Sequence, residues 1–368
     1  MNVKTKKMLK IVLPIVALLL IAAIAVAVLL MTFDDEPFVV SLGTAGVTEP
    51  MFNYYLASYK YEFLIEYKEE GLHDMGNSWR SLSSDGTRTW EERFYDEFAE
   101  ILARKVAAAA LFDASYSLSR NSRQEINERM DAIIESNGKT KAKTNEILEK
   151  FDCDLDDVRR AVTLDYKVAM LYSILYGTDG SGLPDGLLEE CYQRDYARVM
   201  TVFVRTKGKL QSDGTNAPMT EEALEDADRK IATLRDYLED GMDEKEFLLL
   251  QEQFNEDEIA ENYPNGIYLS AASVYDQAVI ESSLELKVGG AALVEGEYGA
   301  YLVYRLSSPA GAYLQESNAM WFRGFIDSVT EREFDRLIDE VVGDVHFEDE
   351  LFIDDTVILM PRNYEVLY

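Results

Sequence analysis

The chain has 368 residues, 47% of them apolar, about two to three domains' worth, which excludes a disordered polymer. With 68 acids against 36 Lys and Arg its formal charge is −32, a surface that repels phosphate backbones and excludes nucleic acid as a partner. Two histidines, His73 and His346, and two cysteines, Cys153 and Cys191, exclude His-dependent triads, clustered Cys/His zinc sites and a disulfide framework.

Residues 1–10 carry Lys4, Lys6, Lys7 and Lys10, and the run IVLPIVALLLIAAIAVAVLLM follows from Ile11 to Met31 without a charge. At about 1.5 Å per residue this is long enough to cross a hydrocarbon core of about 30 Å. Asp34, Asp35 and Glu36 come next, so the positive-inside rule predicts a cytoplasmic stub (1–10), one transmembrane anchor (11–32) and an extracytoplasmic remainder. A cleaved signal peptide is the competing reading, with Ala23 and Ala25 at its cleavage site and an apolar core of usually about 7–15 residues. Two isolated cysteines in an exported chain either pair or sit as small buried side chains, and the second is the expectation.

Residues 38–48, FVVSLGTAGVT, read as a strand and turn, and Thr48-Glu49-Pro50 is a helix start. The helix runs from about Glu49 to Glu69, with Met51, Tyr55, Tyr59, Phe63 and Tyr67 four apart along one face. Thr89-Trp90-Glu91-Glu92 is a capping box opening a second helix through Phe94, Phe98, Leu102 and Val106. Further helices are predicted at about 121–136, 141–150 and 155–176, the last capped near Asp154, so that 38–195 forms a helical module. The acids Asp152, Asp154, Asp156 and Asp157 alternate like a calcium loop but lack its glycine and its closing Glu, so helix capping is their expected role.

At Arg198 the period changes. RVMTVFVRT is a β-branched and aromatic run, apolar on both faces as a central strand would be. Helices follow from Thr220 to about Asp240, over DEKEFLLLQEQF, and near 274–283, and AALVEGEYGAYLVYRLSS reads as two strands joined at Glu295-Gly296-Glu297. Residues 196–308 thus make a compact α/β unit. An amphipathic helix from Gln315 to Val342 is too apolar to stand alone and must close onto another part of the chain (309–342). An acidic tail (343–368) holds a strand-like TVILM.

This order of pieces resembles the exported, membrane-tethered parvulin-type peptidyl-prolyl isomerases, the foldases of the PrsA and SurA kind. The likeness covers roughly residues 38–342, and its motifs are patterns with few identities. RVMTVFVRT stands at the family's first strand, EFLLLQEQFNED at its Phe-x-x-Leu-Ala helix and NYPNGIYL at its glycine-rich loop. SVYDQAVIESSLELKVGG stands at its Phe-x-x-Ala helix and turn, and GAYLVYRL at its final strand. The implied fold is α+β: a mostly helical chaperone module like the N-terminal part of SurA, with a small parvulin-like α/β domain inserted in it, behind a single transmembrane helix.

The departures fall on the chemistry. Family members place two histidines under the proline pocket; the matching positions here are Thr201 and Tyr301, whose hydroxyls can bond to each other. Asp257 matches the acidic or thiol position, Tyr275 the pocket aromatic, and Gly266 remains of the loop's glycines. The resemblance therefore implies a kept scaffold and a degenerate catalytic floor, Thr201, Asp257 and Tyr301. Phe203 and Tyr275, with Tyr55, Tyr59 and Phe63 of the first helix, are the expected substrate-binding aromatics. No GxSxG or P-loop pattern occurs, so a hydrolase is not expected.

The reading is a membrane-anchored extracytoplasmic foldase or chaperone that binds unfolded or newly exported polypeptides, without metal or cofactor, and has weak or absent isomerase activity. The alternatives are an adaptor subunit of an export or cell-envelope complex, and an active isomerase with a different floor.

Overall fold

The computed structural model describes residues 36–177, 179–208, 216–348, 351–352 and 355–361. The expected anchor at 11–32 lies outside them, and no helix among the described residues is long and apolar enough to cross a membrane. The chain is mostly helical, with two small sheets, and divides into two compact units. One takes the residues up to Gly182 and those from Glu331 onward; the other is Leu183–Thr330.

In the first unit β1 (Phe38–Leu42) turns at Gly43, whose φ of +61° suits a residue without a Cβ, into antiparallel β2 (Ala45–Thr48). β7 (His346–Phe347) pairs with the other side of β1, so the sheet order is β2-β1-β7. Helix α1 (Glu49–Glu66) starts at Thr48 with Pro50 in its first turn. Met51, Phe52, Tyr54, Tyr55, Leu56 and Ala57 are all buried, so the first half of α1 is enclosed by the unit, while Glu62, Ile65 and Glu66 toward its end are exposed. Helix α2 (Trp90–Ser115) begins in the expected capping box: the Thr89 hydroxyl accepts from Glu92 N at 3.2 Å, and Thr89 N donates to the Glu92 carboxylate at 2.7 Å. Then come α3 (Arg120–Ser136), α4 (Lys141–Leu148) and α5 (Leu155–Tyr176). Asp154 caps α5, accepting from Asp156 N and Asp157 N.

The tail closes this unit. Residues 356–359, expected as a strand, form a helical turn, with Val357 fully buried and its N–H donating to the Tyr95 hydroxyl at 2.9 Å. Phe352 lies edge-on to Phe52 and beside Tyr95. The ammonium of Lys60, 1% exposed, donates to the Met360 carbonyl at 2.7 Å and pairs with Asp74 at 2.9 Å. A short turn with its carbonyls aimed at a buried cation satisfies both partners, which a further strand at this site would not.

The second unit holds α6 (Leu187–Asp195), β3 (Ala197–Arg205), α7 (Glu221–Glu239), α8 (Glu244–Phe254), α9 (Glu258–Asn262), β4 (Ile267–Leu269), α10 (Gln277–Glu285), β5 (Ala291–Glu295) and β6 (Gly299–Leu306). Its sheet is antiparallel throughout, in the order β4-β3-β6-β5. Residues 183–195 group with this unit rather than with the helical one, because Tyr192 is buried against Tyr268, Tyr313 and Phe322. The helix expected over 315–342 is shorter: α11 spans Phe325–Asp339. Gly324, at φ +73°, breaks the helical path before it, and Phe322 packs on Tyr196. Cys153 and Cys191 are both buried and unpaired, and burial beside Asp157 pushes the Cys153 thiol up to about 12.

Replacing Lys60 by Ala removes a buried cation from the Ile358 and Met360 carbonyls and from the Asp74 carboxylate. Lys60→Ala is expected to cost about 3 kcal/mol in denaturant unfolding and to make residues 355–361 sensitive to proteolysis.

Candidate functional site

The site residues lie on one face of the four-stranded sheet. Alternation along β3 and β6 sends Met200, Val202, Val204, Leu302, Tyr304 and Leu306 into the core that Ala227 and Leu234 of α7 and Phe247 and Leu250 of α8 complete. Val199, Thr201, Phe203, Tyr301 and Val303 face the other way, where Val279 and Ile280 of α10 cover part of them.

The free side of β3 decides what stands next to Thr201. β4 pairs with β3 only at Ala197–Val199, so the backbone groups from Thr201 to Arg205 need other partners. The end of α8 and the turn after it supply them. Gln251 Nε2 donates to the Thr201 carbonyl at 2.9 Å, and the Asn255 side-chain oxygen accepts from Phe203 N at 3.0 Å. Glu256 N donates to the Phe203 carbonyl at 2.9 Å, and the Glu256 carboxylate accepts from Arg205 N at 3.0 Å. Asn255 also holds Asp257 by two bonds, accepting from its N–H at 3.2 Å and donating to its carbonyl at 2.8 Å.

Asp257 is thereby fixed over the sheet. One of its carboxylate oxygens caps α9 by accepting from Ile259 N at 2.9 Å. The other accepts from the Tyr275 hydroxyl at 2.5 Å and from the Thr201 hydroxyl at 3.4 Å, and the two hydroxyls lie 3.5 Å apart. Beside this cluster the rings of Phe203 and Tyr301 stack at 4.5 Å, and Tyr275 approaches Tyr301 at 6.1 Å. Gly266, in the loop before β4, carries φ +91°, and a Cβ there would lie 2.8 Å from the Val199 carbonyl oxygen.

The electrostatics keep the phenols protonated. Burial first, then the bond to Asp257, pushes Tyr275 far above the ordinary phenol range. Burial, with the nearby Asp276 and Asp257 carboxylates, pushes Tyr301 up to about 12. The cluster is a closed set of neutral donors on one carboxylate. It contains no imidazole, and its strongest donor is already spent on Asp257.

Thr201, Asp257 and Tyr275 are thus brought together, with Phe203 and Tyr301 stacked beside them. The expected bond between the Thr201 and Tyr301 hydroxyls is replaced: Thr201 stands opposite Val303 in the sheet and turns its hydroxyl to Asp257 and Tyr275. The first-helix aromatics belong to the other unit and are core residues there. Phe63 is fully buried, stacked on Trp79 and edge-on to Phe94. Tyr55 is buried with its hydroxyl on the Ala161 carbonyl at 2.9 Å, and Tyr59 stacks on Phe98 and donates to Glu97 at 3.0 Å. Rings so enclosed present no face to a client, which corrects the expectation for Tyr55 and Phe63. Sequence reasoning missed Gln251 and Asn255; their spacing of four at the polar end of α8 is the signal that one face there does a job other than packing.

No family model matches the chain, and no curated protein does. The chain is similar to solved PrsA structures. PrsA from Bacillus subtilis matches with 15% identity over 72% of this chain and 90% of that one, at a TM-score of 0.24. The peptidylprolyl isomerase PrsA from Bacillus cereus matches with 9% identity over 75% and 91%, at 0.33. The foldase protein PrsA from Streptococcus pneumoniae matches with 14% identity over 72% and 93%, at 0.22. At these values the likeness is one of resemblance alone, and the site's own geometry carries the functional reading.

Asn255→Ala removes an acceptor from Phe203 N and both bonds to Asp257. It is expected to cost the α/β unit about 1–3 kcal/mol, read as a lowered thermal midpoint. Tyr301 keeps its proton up to about 12 when folded, against 10.0 when unfolded. Its contribution is therefore complete below about pH 10 and is lost as pH rises toward 12. Denaturant unfolding at stepped alkaline pH should show that decline, and Tyr301→Phe should make it shallower.

Proposed function

We propose that this chain is an extracytoplasmic polypeptide holder of the foldase or chaperone class, tethered by residues 11–32, whose α/β unit binds client segments with little or no prolyl isomerase activity. The observation that carries the reading is the Thr201–Asp257–Tyr275 cluster. Lowering the barrier of about 18–20 kcal/mol to amide rotation takes an apolar seat for the proline and donors free to stabilise the twisted bond. In the cluster the donors are committed to a carboxylate, and the Phe203–Tyr301 stack fills the space beside them.

Holding a client needs accessible apolar surface instead. Val274, fully exposed, directly precedes Tyr275, and Ile259, 40% exposed, lies two residues after Asp257. Leu248 and Leu249 are exposed on α8 of the same unit. Exposed aliphatic side chains on the α/β unit support transient binding of extended apolar segments. The expected substrate roles of Phe203 and Tyr275 then reduce to shaping this face from below.

The full chain in nanodiscs tests the reading. It is expected to suppress aggregation of several unrelated unfolded proteins and to accelerate isomerisation of a short Xaa-Pro peptide by no more than a few-fold. Strong acceleration that disappears in Asp257→Ala would instead establish an active isomerase. Recovery of one stoichiometric partner, with no effect on unfolded proteins, would establish an adaptor.

A further inference from the structure

A second candidate site lies in the helical unit. β2 is an edge strand, hydrogen-bonded to β1 on one side only. Beside it opens a cleft of about 370 Å³, lined on the strand side by Ala45, Gly46 and Thr48 and on the other by Arg159, Arg160, Thr163 and Lys167 of α5. Arg159, Thr163 and Lys167 are four apart and share one helix face, so they form one wall. That wall is about 12 Å long at the helical rise, and four strand residues span about 13 Å. Phe38, Met51, Ala109 and Leu164 make the apolar part of the lining.

The charge of this wall is unusual in a chain of net −32. Lys167 is held by Asp113 at 2.6 Å, and Arg160 by Glu36 at 3.1 Å and Asp157 at 3.7 Å. Arg159 differs: among the described residues its side-chain bond is to the neutral amide oxygen of Asn127, at 2.6 Å. The start of α1, where Thr48 supplies no side-chain cap and Glu49 stands in the first turn, gives Thr48 and Met51 to the same cleft, and Glu36 lines it beside Arg160. The Thr48 hydroxyl, in a residue 2% exposed, has no hydrogen-bond partner.

We propose that the cleft between β2 and α5 receives the C-terminal end of an extended polypeptide, which adds to β2 as a further strand and sets its terminal carboxylate against Arg159. The inference rests on the holder reading and names one class of client end. The unpaired edge of β2, most accessible at Gly46, supplies backbone groups, the apolar lining takes the last side chain, and the Arg159 guanidinium, without a carboxylate partner among the described residues, takes the anion. A carboxylate on an apolar residue satisfies all three at once.

The test is fluorescence anisotropy of the full chain with a short labelled peptide ending in leucine, as the free acid and as the C-terminal amide. The acid is expected to bind at least about tenfold more tightly. Arg159→Gln, which also gives up the bond to Asn127, should erase that difference while leaving the affinity for the amide as it was, and Thr163→Phe, which fills the cleft, should weaken both forms. Equal affinity for acid and amide overturns the inference. So does discrimination that survives Arg159→Gln, or a cleft that binds phosphatidylglycerol vesicles and neither peptide. Aggregation suppression of linear unfolded clients separates the two readings: its absence overturns the holder itself, whereas suppression that persists while acid and amide peptides bind equally overturns the cleft alone.

Discussion

The segment Thr201–Arg205 of β3 needs partners for its outer backbone groups, and the arrangement of the α/β unit follows from how they are met. A longer β4 would have paired them and left the sheet face open. Instead, Gln251, Asn255 and Glu256 pair them from the end of α8, which draws the chain across the sheet edge and leaves Asp257 directly over Thr201. Tyr275 then bonds to Asp257, and the face closes. The chemistry of the site is thus a by-product of edge protection: a carboxylate placed by backbone pairing selects the phenol that neutralises its lone pairs.

The helical unit is held by a different balance. Its core is aromatic, with Phe63, Trp79, Phe94 and Phe98 in mutual contact around α1 and α2. Large rings bury much apolar area, but they leave polar atoms that need partners. Tyr55, Tyr59 and Tyr67 turn their hydroxyls to Asp165 and Glu97 at the rim, and Arg93 bridges Tyr67 and Glu97. The density of aromatics on α1 is explained by this packing, without any groove.

Much of this was legible in the residues. The capping boxes at Thr89 and Asp154 place the starts of α2 and α5 because side-chain capping is local chemistry, and β3 and the β5–β6 hairpin show in their β-branched and aromatic runs. What was hidden depended on distant partners. TVILM has the composition of a strand, but its conformation is set by Lys60 and Tyr95, far away in the chain. The pattern over 315–342 is apolar enough for one helix, yet Gly324 interrupts it and Phe322 is drawn into the core around Tyr192. In the site, the lack of an imidazole at Thr201 and Tyr301 was visible at once; the partner of Thr201 was not, because it depends on the strand register and on Asn255.

The first unit is assembled from both ends of the chain, whereas the α/β unit is one continuous stretch. Lys60 and the Met360 carbonyl it binds are 300 positions apart. During synthesis at about 5–20 residues per second, domains complete in the order in which their residues emerge. The inserted unit therefore has all its residues available while the surrounding one still lacks its last strand and its closing turn. For tens of seconds the buried ammonium of Lys60 and the rings of Phe52 and Tyr95 would lack the partners that residues 352–360 supply, so the earliest helix of the unit is the last to be sealed.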